Sequence, residues 1–261
     1  MKVGLFDSGL GGLTVLKSIT KIFKGAKLTY IADTQYAPYG EKSIEEIFLR
    51  CDKITEYLLE NYGIDALVVA CNTATSVAIK HLREKFPFLI IIGTEPGLKP
   101  AISSTKNGKI GVLATPRTIY GDKYQLLVDE LSKSNDVKFY HQACDGLAKQ
   151  IEDGEISTLK TYSMLENWLK PMKQNKVDTI VLGCTHYPLV GQTIKDIMGE
   201  DIVLVDTTDA IANRLMLLSK NAGHINSGEL EIDILYTGKI NFDMVNIILK
   251  GNKFEMGSCK I

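Results

Sequence analysis

The chain has 261 residues, of which 45% are hydrophobic and 23% are charged, and its formal net charge at pH 7 is −1. This composition is ordinary for a globular protein, and the length allows one large α/β domain or two domains of usual size. The balanced charge provides no basic field of the kind that binds nucleic acid or an anionic membrane surface.

Strand and helix patterns alternate along the first part of the chain. Ser43 followed by Glu46 has the pattern of a capping box, which predicts that a helix begins there and ends before Gly63. Ala66–Ala70 is wholly apolar, as expected for a strand that helices cover on both faces. In chain order, the predicted elements are a strand at Lys2–Phe6, a helix at Leu13–Phe23, a strand at Lys27–Ala32, the capped helix to about Tyr62, a strand at Ala66–Ala70, a helix at Thr75–Phe86 and a strand at Leu89–Ile92.

The remaining chain continues the same alternation. Its predicted elements are a strand at Lys109–Leu113, a helix at Thr118–Ser132, a strand at Val137–His141, a helix over most of Ser157–Gln174, a strand at Thr179–Gly183, a helix at Leu189–Met198, a strand at Ile202–Val205, a helix near Asp209–Ser219, a strand near Glu231–Tyr236 and a helix near Phe242–Lys250. Regular strand–helix alternation predicts an α/β fold with mainly parallel sheets.

Two segments of the first half match two segments of the second half in sequence. Lys2–Asp7 aligns with Lys109–Ala114, and Asp65–Thr73 aligns with Asp178–His186, at similar separations along the chain. Such internal similarity predicts one duplicated unit. The alternative is that any two buried parallel strands look alike, but both of the longer segments end in a small residue, a cysteine and polar residues, which favours duplication.

The five cysteines, at positions 51, 71, 144, 184 and 259, are widely spaced and form no CxxC pair. This pattern argues against a disulfide framework and a structural zinc site, and it predicts free thiols in a reducing compartment. The first residues do not form a signal-peptide pattern, and no apolar run approaches the roughly 20 residues that span a bilayer. We therefore expect a cytoplasmic protein.

Four loops follow predicted strands and precede predicted helices, which is where open α/β sheets bind their ligands. The first loop is glycine-rich, so its main-chain N–H groups can face an anion. It is not a dinucleotide fingerprint, because Thr14 takes the place of the last glycine, and a tight turn capped by Asp7 is the alternative interpretation. The four loops are Asp7–Gly12, Cys71–Thr73, Ala114–Thr118 and Cys184–Pro188.

Cys71 and Cys184 end buried strands at matching positions of the two halves. A thiol at a turn that opens a helix is close to the positive end of the helix dipole, which favours the thiolate. Racemisation removes a proton from one face of a carbon and returns one to the other face, so two thiols on either side of a small ligand suit it. We expect Asp7 and His186 to orient and tune these thiols. Core packing of both cysteines, or metal binding by Cys184 and His186, are the alternatives.

Neutral hydrogen-bonding side chains accompany the two thiols and can hold the charged groups of an amino acid. The turn-rich loop 33–40 either closes over the site or is an ordinary connection. Glu152 follows an apolar stretch and is a weaker candidate for the same site, whereas Cys51, Cys144 and Cys259 have no comparable setting and are interpreted as structural. The neutral candidates are Asn72, Thr73, Thr115, Thr118 and Thr185.

On these motifs the chain resembles the bacterial glutamate racemases of the aspartate/glutamate racemase superfamily. The resemblance rests on DSGLGG at 7–12, DTQYAPYG at 33–40, ACNTAT at 70–75, the segment with Thr115 and Thr118, and GCTHYP at 183–188. It implies that Cys71 and Cys184 are the catalytic acid and base, acting on D-glutamate and L-glutamate respectively, with Asp7 and His186 assisting. The residues that it implies for glutamate binding are Asp7, Ser8, Tyr39, Gly40, Asn72, Thr73, Thr115, Thr118, Thr185 and His186.

The same resemblance implies a fold and a cellular role. It implies two pseudo-symmetric α/β domains, each a mainly parallel sheet flanked by helices, with the active site in the cleft between them. One domain would hold residues 1–93 plus 208–261, and the other would hold residues 94–207. It further implies a homodimer without pyridoxal phosphate or metal, which supplies D-glutamate for peptidoglycan. The stretch His141–Asp145 departs from the family pattern, and this leaves the role of Glu152 open.

Three other functions are compatible with the residues. An aspartate racemase of the same superfamily would use the same fold and thiols, although the segment 183–188 favours glutamate. A non-catalytic amino-acid-binding module would keep both cysteines in the core. A cysteine hydrolase needs one nucleophile and its base, and so would leave the second cysteine without a role.

Overall fold

The chain forms two compact units, one of Met1–Thr94 with Thr208–Ile261 and the other of Glu95–Thr207. The computed structural model describes all 261 residues. Each unit contains a parallel sheet with helices, which confirms the predicted α/β fold class. The predicted domain division, 1–93 plus 208–261 against 94–207, differs from these units only at residue 94. That the two units are separate domains stays a prediction.

All strand pairs are parallel, and they form one sheet in each unit. The strands are β1 (Lys2–Asp7), β2 (Ala26–Ala32), β3 (Ala66–Val69), β4 (Ile90–Gly93), β5 (Lys109–Ala114), β6 (Lys138–Ala143), β7 (Thr179–Gly183), β8 (Val203–Val205), β9 (Leu230–Tyr236) and β10 (Glu255–Ser258). The strand order is β10-β9-β2-β1-β3-β4 in the first unit and β6-β5-β7-β8 in the second. Central strands of such sheets are covered on both faces, which explains why β1, β3, β5 and β7 are almost wholly apolar.

Eleven α-helices and two short 3₁₀ turns connect the strands. The helices are α1 (Leu13–Ile22), α2 (Ile44–Tyr62), α3 (Asn72–Lys85), α4 (Leu98–Ser104), α5 (Pro116–Ile119), α6 (Asp122–Ser134), α7 (Leu147–Glu152), α8 (Leu159–Gln174), α9 (Gly191–Met198), α10 (Thr208–Asn221) and α11 (Phe242–Ile248). The 3₁₀ turns are Tyr39–Glu41 and Tyr187–Val190. None of these helices combines the length and the apolar character that crossing a membrane requires.

The strand orders support the predicted duplication. Ignoring β9 and β10, the first sheet reads β2-β1-β3-β4 and the second reads β6-β5-β7-β8, so the same topology occurs twice. The two pairs of matching sequences coincide with equivalent strands, β1 with β5 and β3 with β7. Cys71 and Cys184 therefore follow the equivalent strands β3 and β7. Each of these strands lies beside the first strand of its repeat, β1 or β5.

Helix α2 shows how local sequence sets the element boundaries. The Ser43 hydroxyl accepts from the Glu46 main-chain N–H at 3.1 Å, and the Glu46 carboxylate accepts from the Ser43 N–H at 3.0 Å. This is the predicted capping box, which satisfies two main-chain donors at the helix N-terminus. The helix ends at Gly63, whose φ of 57° lies in the left-handed region that favours glycine.

Several elements differ from the sequence-based prediction. The single helix expected over Thr118–Ser132 is two helices, because Thr115 caps α5 and Gly121 precedes a separate start of α6. Helix α3 begins at Asn72, three residues before the predicted start at Thr75. Helices α4 and α7 and strand β10 were not predicted, because segments of four to seven residues carry too little periodicity to be distinguished from loops.

Candidate active site

Cys71 lies between β3 and α3 and is the N-cap residue of that helix. Its side chain is 6% exposed, and its main-chain carbonyl accepts from the Thr75 N–H at 2.9 Å. Asn72 and Thr73 form the first turn of the same helix, so both predicted binding residues stand directly beside the thiol in sequence. A sulfur at the start of a 14-residue helix lies near the positive end of its dipole, which stabilises a thiolate.

Asp7 ends the strand next to β3, and its carboxylate is held by its own glycine-rich loop. The N–H of Ser8 donates to Oδ1 and the N–H of Gly12 donates to Oδ2, both at 2.6 Å. Gly12 is required here, because a Cβ atom would lie 2.8 Å from the Asp7 Cβ and 2.9 Å from the Ala70 Cβ. The predicted site residue therefore also anchors the glycine-rich turn, as a fully buried carboxylate held by two main-chain donors, but it does not cap α1, whose N-cap residue is Gly12.

Tyr39 and Gly40 lie in the 3₁₀ turn of the loop that follows β2. The Tyr39 side chain is buried and packs in the same hydrophobic cluster as Cys71. Its hydroxyl donates to the Asp33 carboxylate at 2.6 Å, and burial together with the negative charge of Asp33 raises the pKa of Tyr39. Because this hydroxyl is bonded to Asp33, the turn offers a ligand mainly its backbone.

Cys184 belongs to a chain of three polar groups in the second unit. The Cys184 Sγ lies 3.6 Å from the His186 Nδ1, and the His186 Nε2 lies 2.5 Å from the Glu152 Oε1. Cys184 and His186 are both buried, and the Tyr187 N–H donates to the Cys184 carbonyl at 3.1 Å. The short helix α7 ends at Glu152 and so delivers its carboxylate to the histidine.

These neighbours determine the charge of His186. Burial disfavours the imidazolium ion, but hydrogen bonds to Cys184 and Glu152 outweigh it, and they raise the pKa of His186 well above its ordinary value. These two contacts favour the protonated form of His186.

Thr115 and Thr118 lie together after β5, the strand beside β7. Thr115 caps α5, and the two hydroxyl oxygens are 3.1 Å apart. In the sheet Ala114 is paired with Gly183, so this cap and Cys184 stand at the ends of neighbouring strands. Glycine is needed at 183, because a Cβ atom would lie 2.9 Å from the Ala114 Cβ.

The structure thus gathers the predicted residues into two groups, one at the strand ends of each unit. The first group contains Asp7, Ser8, Tyr39, Gly40, Cys71, Asn72 and Thr73, and the second contains Thr115, Thr118, Cys184, Thr185 and His186. Glu152 joins the second group, although its sequence surroundings gave no firm reason to place it there. Its contact with His186 spans 34 residues, and no local pattern reports such a contact.

The other three cysteines are buried, as their interpretation as structural residues requires. Burial raises the pKa of the Cys51 and Cys144 thiols and raises the pKa of Cys259 to about 11. These thiols stay protonated at neutral pH and have little nucleophilic character. No group of three or more His, Cys, Asp and Glu side chains is arranged as a metal site.

Comparisons with known proteins point in one direction. The family model described as Asp/Glu/Hydantoin racemase matches residues 6–215. The chain is 64% identical over 261 residues, covering 100% of both chains, to the glutamate racemase of Aliarcobacter butzleri. It resembles the Escherichia coli glutamate racemase crystallised with L-glutamate, with a TM-score of 0.86, 30% identity and coverage of 98% and 97% of the two chains. It also resembles the Francisella tularensis enzyme crystallised with D-glutamate, with a TM-score of 0.83, 25% identity and coverage of 100% and 97%.

Proposed function

The chain belongs to the Asp/Glu/Hydantoin racemase family and has glutamate racemase activity, and we propose that it moves the α-proton of glutamate between Cys71 and Cys184. The observation that carries this mechanism is the contrast between the two thiols. Each follows an equivalent strand of a repeated topology, but a carboxylate ends the strand beside Cys71 and a histidine with a raised pKa contacts Cys184. That contrast suits a pair in which one thiol is the acid and the other is the base.

The proposed reaction needs one proton acceptor and one proton donor on opposite faces of the α-carbon. With L-glutamate, the Cys184 thiolate takes the α-proton and becomes a thiol. The Cys71 thiol then gives its proton to the other face of the carbanion and becomes a thiolate, which completes D-glutamate. The reverse reaction starts from the state in which the forward reaction ends, so the two directions use the same groups in exchanged roles.

The assisting residues set the starting protonation states. In this proposal a positively charged His186 faces the Cys184 sulfur, and Glu152 holds the ring in place. Asp7 ends the strand next to Cys71, and in this proposal its carboxylate opposes the helix dipole at Cys71, which makes Cys71 the thiol that starts with the proton. The protein would therefore rest in the form that accepts L-glutamate.

Neutral groups are proposed to bind the charged ends of glutamate. Hydroxyl and amide side chains, and main-chain N–H groups at helix starts, can pair with two carboxylates and an ammonium group without a buried counter-charge. The proposed binding residues are the neutral Ser8, Tyr39, Gly40, Asn72, Thr73, Thr115, Thr118 and Thr185, together with the ionisable Asp7 and His186. Each of them lies in one of the two groups at the strand ends.

The wider role follows from the activity. D-glutamate is a building block of peptidoglycan, so we propose that this cytoplasmic protein supplies cell-wall synthesis. We also propose that it acts as a homodimer, which light scattering of the purified protein would detect as a particle of twice 28.9 kDa. A mass of one chain across the concentration range of the assay would contradict the dimer.

The deciding experiment follows the circular dichroism of L-glutamate with purified protein, reductant and chelator, and with no added cofactor. Decay of the signal to zero is the expected result. L-Aspartate, tested in parallel, should keep its signal. A stable glutamate signal from folded protein would contradict the proposal, and glutamate binding without loss of signal would indicate a non-catalytic binding module.

A further inference from the structure

A buried ion pair joins helix α2 to the loop that follows β2. Asp33 is completely buried, and Arg50 is 4% exposed. The Arg50 Nε donates to the Asp33 Oδ2 at 2.9 Å, and its NH2 group donates to Oδ1 at 2.7 Å. This two-pronged geometry fixes the plane and the position of the carboxylate. The proton transfer described above gives Arg50 no role.

Two further hydroxyl groups complete the surroundings of Asp33. Tyr39 donates to Oδ2 at 2.6 Å, and Thr237, in the loop after β9, donates to Oδ1 at 2.9 Å. The Thr237 oxygen also accepts from the Gln35 N–H at 3.1 Å. Four donors therefore converge on one carboxylate, and together they tie the loop after β2 to helix α2 and to the loop after β9.

Arg50 contacts the loop in a second way. Its guanidinium group lies 4.0 Å from the centroid of the Tyr36 ring, which is the geometry of a cation–π contact. Its NH1 group donates to the main-chain oxygen of Ile261 at 2.8 Å. Arg50 thus holds Tyr36 directly and Tyr39 through Asp33, so the path of the short segment between these tyrosines depends on one guanidinium group.

We propose that Arg50 is a positioning residue for glutamate binding, which holds the backbone of Tyr39 and Gly40 at the substrate site through Asp33. This inference rests on the proposed function. Tyr39 packs in the same hydrophobic cluster as Cys71, so a displaced Tyr39 ring changes the packing of the cluster that holds that thiol. Lysine cannot replace Arg50, because one ammonium group cannot make the paired hydrogen bonds and stack on Tyr36 at the same time.

The test compares steady-state kinetics of Arg50→Lys with those of the unmodified protein for both enantiomers of glutamate. We expect KM to rise about tenfold or more while kcat changes less than about threefold, because the loop binds substrate and does not transfer the proton. Arg83→Lys is the matched control, since Arg83 lies on α3 of the same unit and its guanidinium donates to the Ile91 carbonyl. Its KM should stay unchanged.

A second variant separates positioning from stability. Thr237→Val keeps the side-chain volume and the ion pair but removes one of the four donors to Asp33. We expect a rise in KM of about threefold with kcat retained. If Arg50→Lys does not fold, this variant still tests whether the contacts to Asp33 position the loop for glutamate binding. A lowered melting temperature with an unchanged KM, or a fall in kcat alone, would overturn the role of Arg50. An unmodified protein without racemase activity would instead refute the proposed function.

Discussion

The chemistry at Cys184 depends more on the charge of His186 than on any other single-residue property. The imidazole ring is enclosed by protein, and its two nitrogens face a sulfur on one side and a carboxylate on the other. In water a histidine would be mostly neutral at pH 7, so the protonated form is a consequence of these two contacts. The same two contacts fix the ring orientation, which keeps the charge close to the thiol.

Replacing Glu152 by glutamine should lower the pKa of His186, because the ring loses a charged acceptor while it stays buried. Nuclear magnetic resonance titration of the histidine rings measures this, with His186→Asn to assign the signal. In the unmodified protein, the contribution of His186 to stability is fully present below its ordinary pKa of 6.5 and is lost as the pH rises through the raised value. The variant should lose less stability over that interval.

The matched control is Glu166→Gln, which removes the same charge from an exposed position on α8 of the same unit. That variant should leave the His186 titration unchanged. An unchanged titration in Glu152→Gln would show that the carboxylate does not set the charge of the histidine.

Each of the two thiols should be indispensable for complete racemisation. We expect Cys71→Ser and Cys184→Ser to reduce turnover of L-glutamate by about a hundredfold or more, because a serine hydroxyl is far too weak an acid and base for this proton transfer. Polarimetry or circular dichroism measures the loss. Cys51→Ser, at a buried cysteine of the first unit, should keep turnover, and near-normal turnover in either of the other two variants would exclude the two-thiol mechanism.

At the scale of elements, helix α2 connects local sequence to the site. Its N-terminal cap and its C-terminal glycine set where it begins and ends, and its buried face packs against α3, β1 and β2. Arg50 lies on this helix, so the start of α2 also determines where the guanidinium group meets Asp33. A capping box some distance from the thiols thus contributes to the geometry of the loop that follows β2.

Ser43→Ala should lower the free energy of unfolding by about 1 kcal/mol, since the main-chain N–H of Glu46 loses its acceptor at the helix N-terminus. Urea denaturation followed by circular dichroism measures this. Lys53→Ala, at an exposed position within α2, should change the same quantity by less than about 0.5 kcal/mol. Equal effects of the two substitutions would mean that the cap does not stabilise the helix.

The Glu46 carboxylate adds a pH dependence to the same cap. Hydrogen bonds from the main chain and the side chain of Ser43 lower the pKa of Glu46. Because the folded pKa is depressed, this contribution to stability is present above the ordinary value of 4.5 and is lost as the pH falls through the lowered one. The difference in stability between Ser43→Ala and the unmodified chain should accordingly shrink in acid.

At the scale of the whole molecule, the first unit is built from two distant parts of the chain. Strand β9 pairs with β2 along its entire length, from Ala26 with Leu230 to Ala32 with Tyr236. Helix α10 packs against α1, and Thr237 reaches the carboxylate of Asp33. Residues 208–261 therefore complete the sheet that presents Asp7 and Cys71, although they supply none of the proposed site residues.

A chain that stops at Thr207 should lose glutamate racemisation, because β2 would lose β9 along one edge and α1 would lose its contacts with α10 and α11. Circular dichroism and the glutamate assay test this, with co-expression of residues 208–261 as the control that should restore activity. Full activity of the shortened chain alone would show that the segment is dispensable for the first unit.

The amino-acid sequence by itself determined the elements and the chemistry of the strand ends. Periodicity, the cap at Ser43 and the turn glycines are local, so they predicted the α/β alternation and the boundaries of α2. The matching endings of β3 and β7 singled out Cys71 and Cys184, because a duplicated strand end is visible in the order of residues alone.

Only the tertiary structure decided which distant side chains serve those thiols. Glu152 reaches His186 across 34 residues, and Arg50 and Thr237 meet at Asp33 from separate elements. These contacts are made by folding: Glu152 ends a short helix and Thr237 lies in a loop, where periodicity gives no signal, and Arg50 lies on α2, where periodicity predicts the helix but not the partner of its arginine. A local pattern depends on neighbours along the chain, whereas a charge or a hydrogen bond depends on neighbours in space. In this protein, neighbours in space set the charge of His186 and the position of the loop after β2.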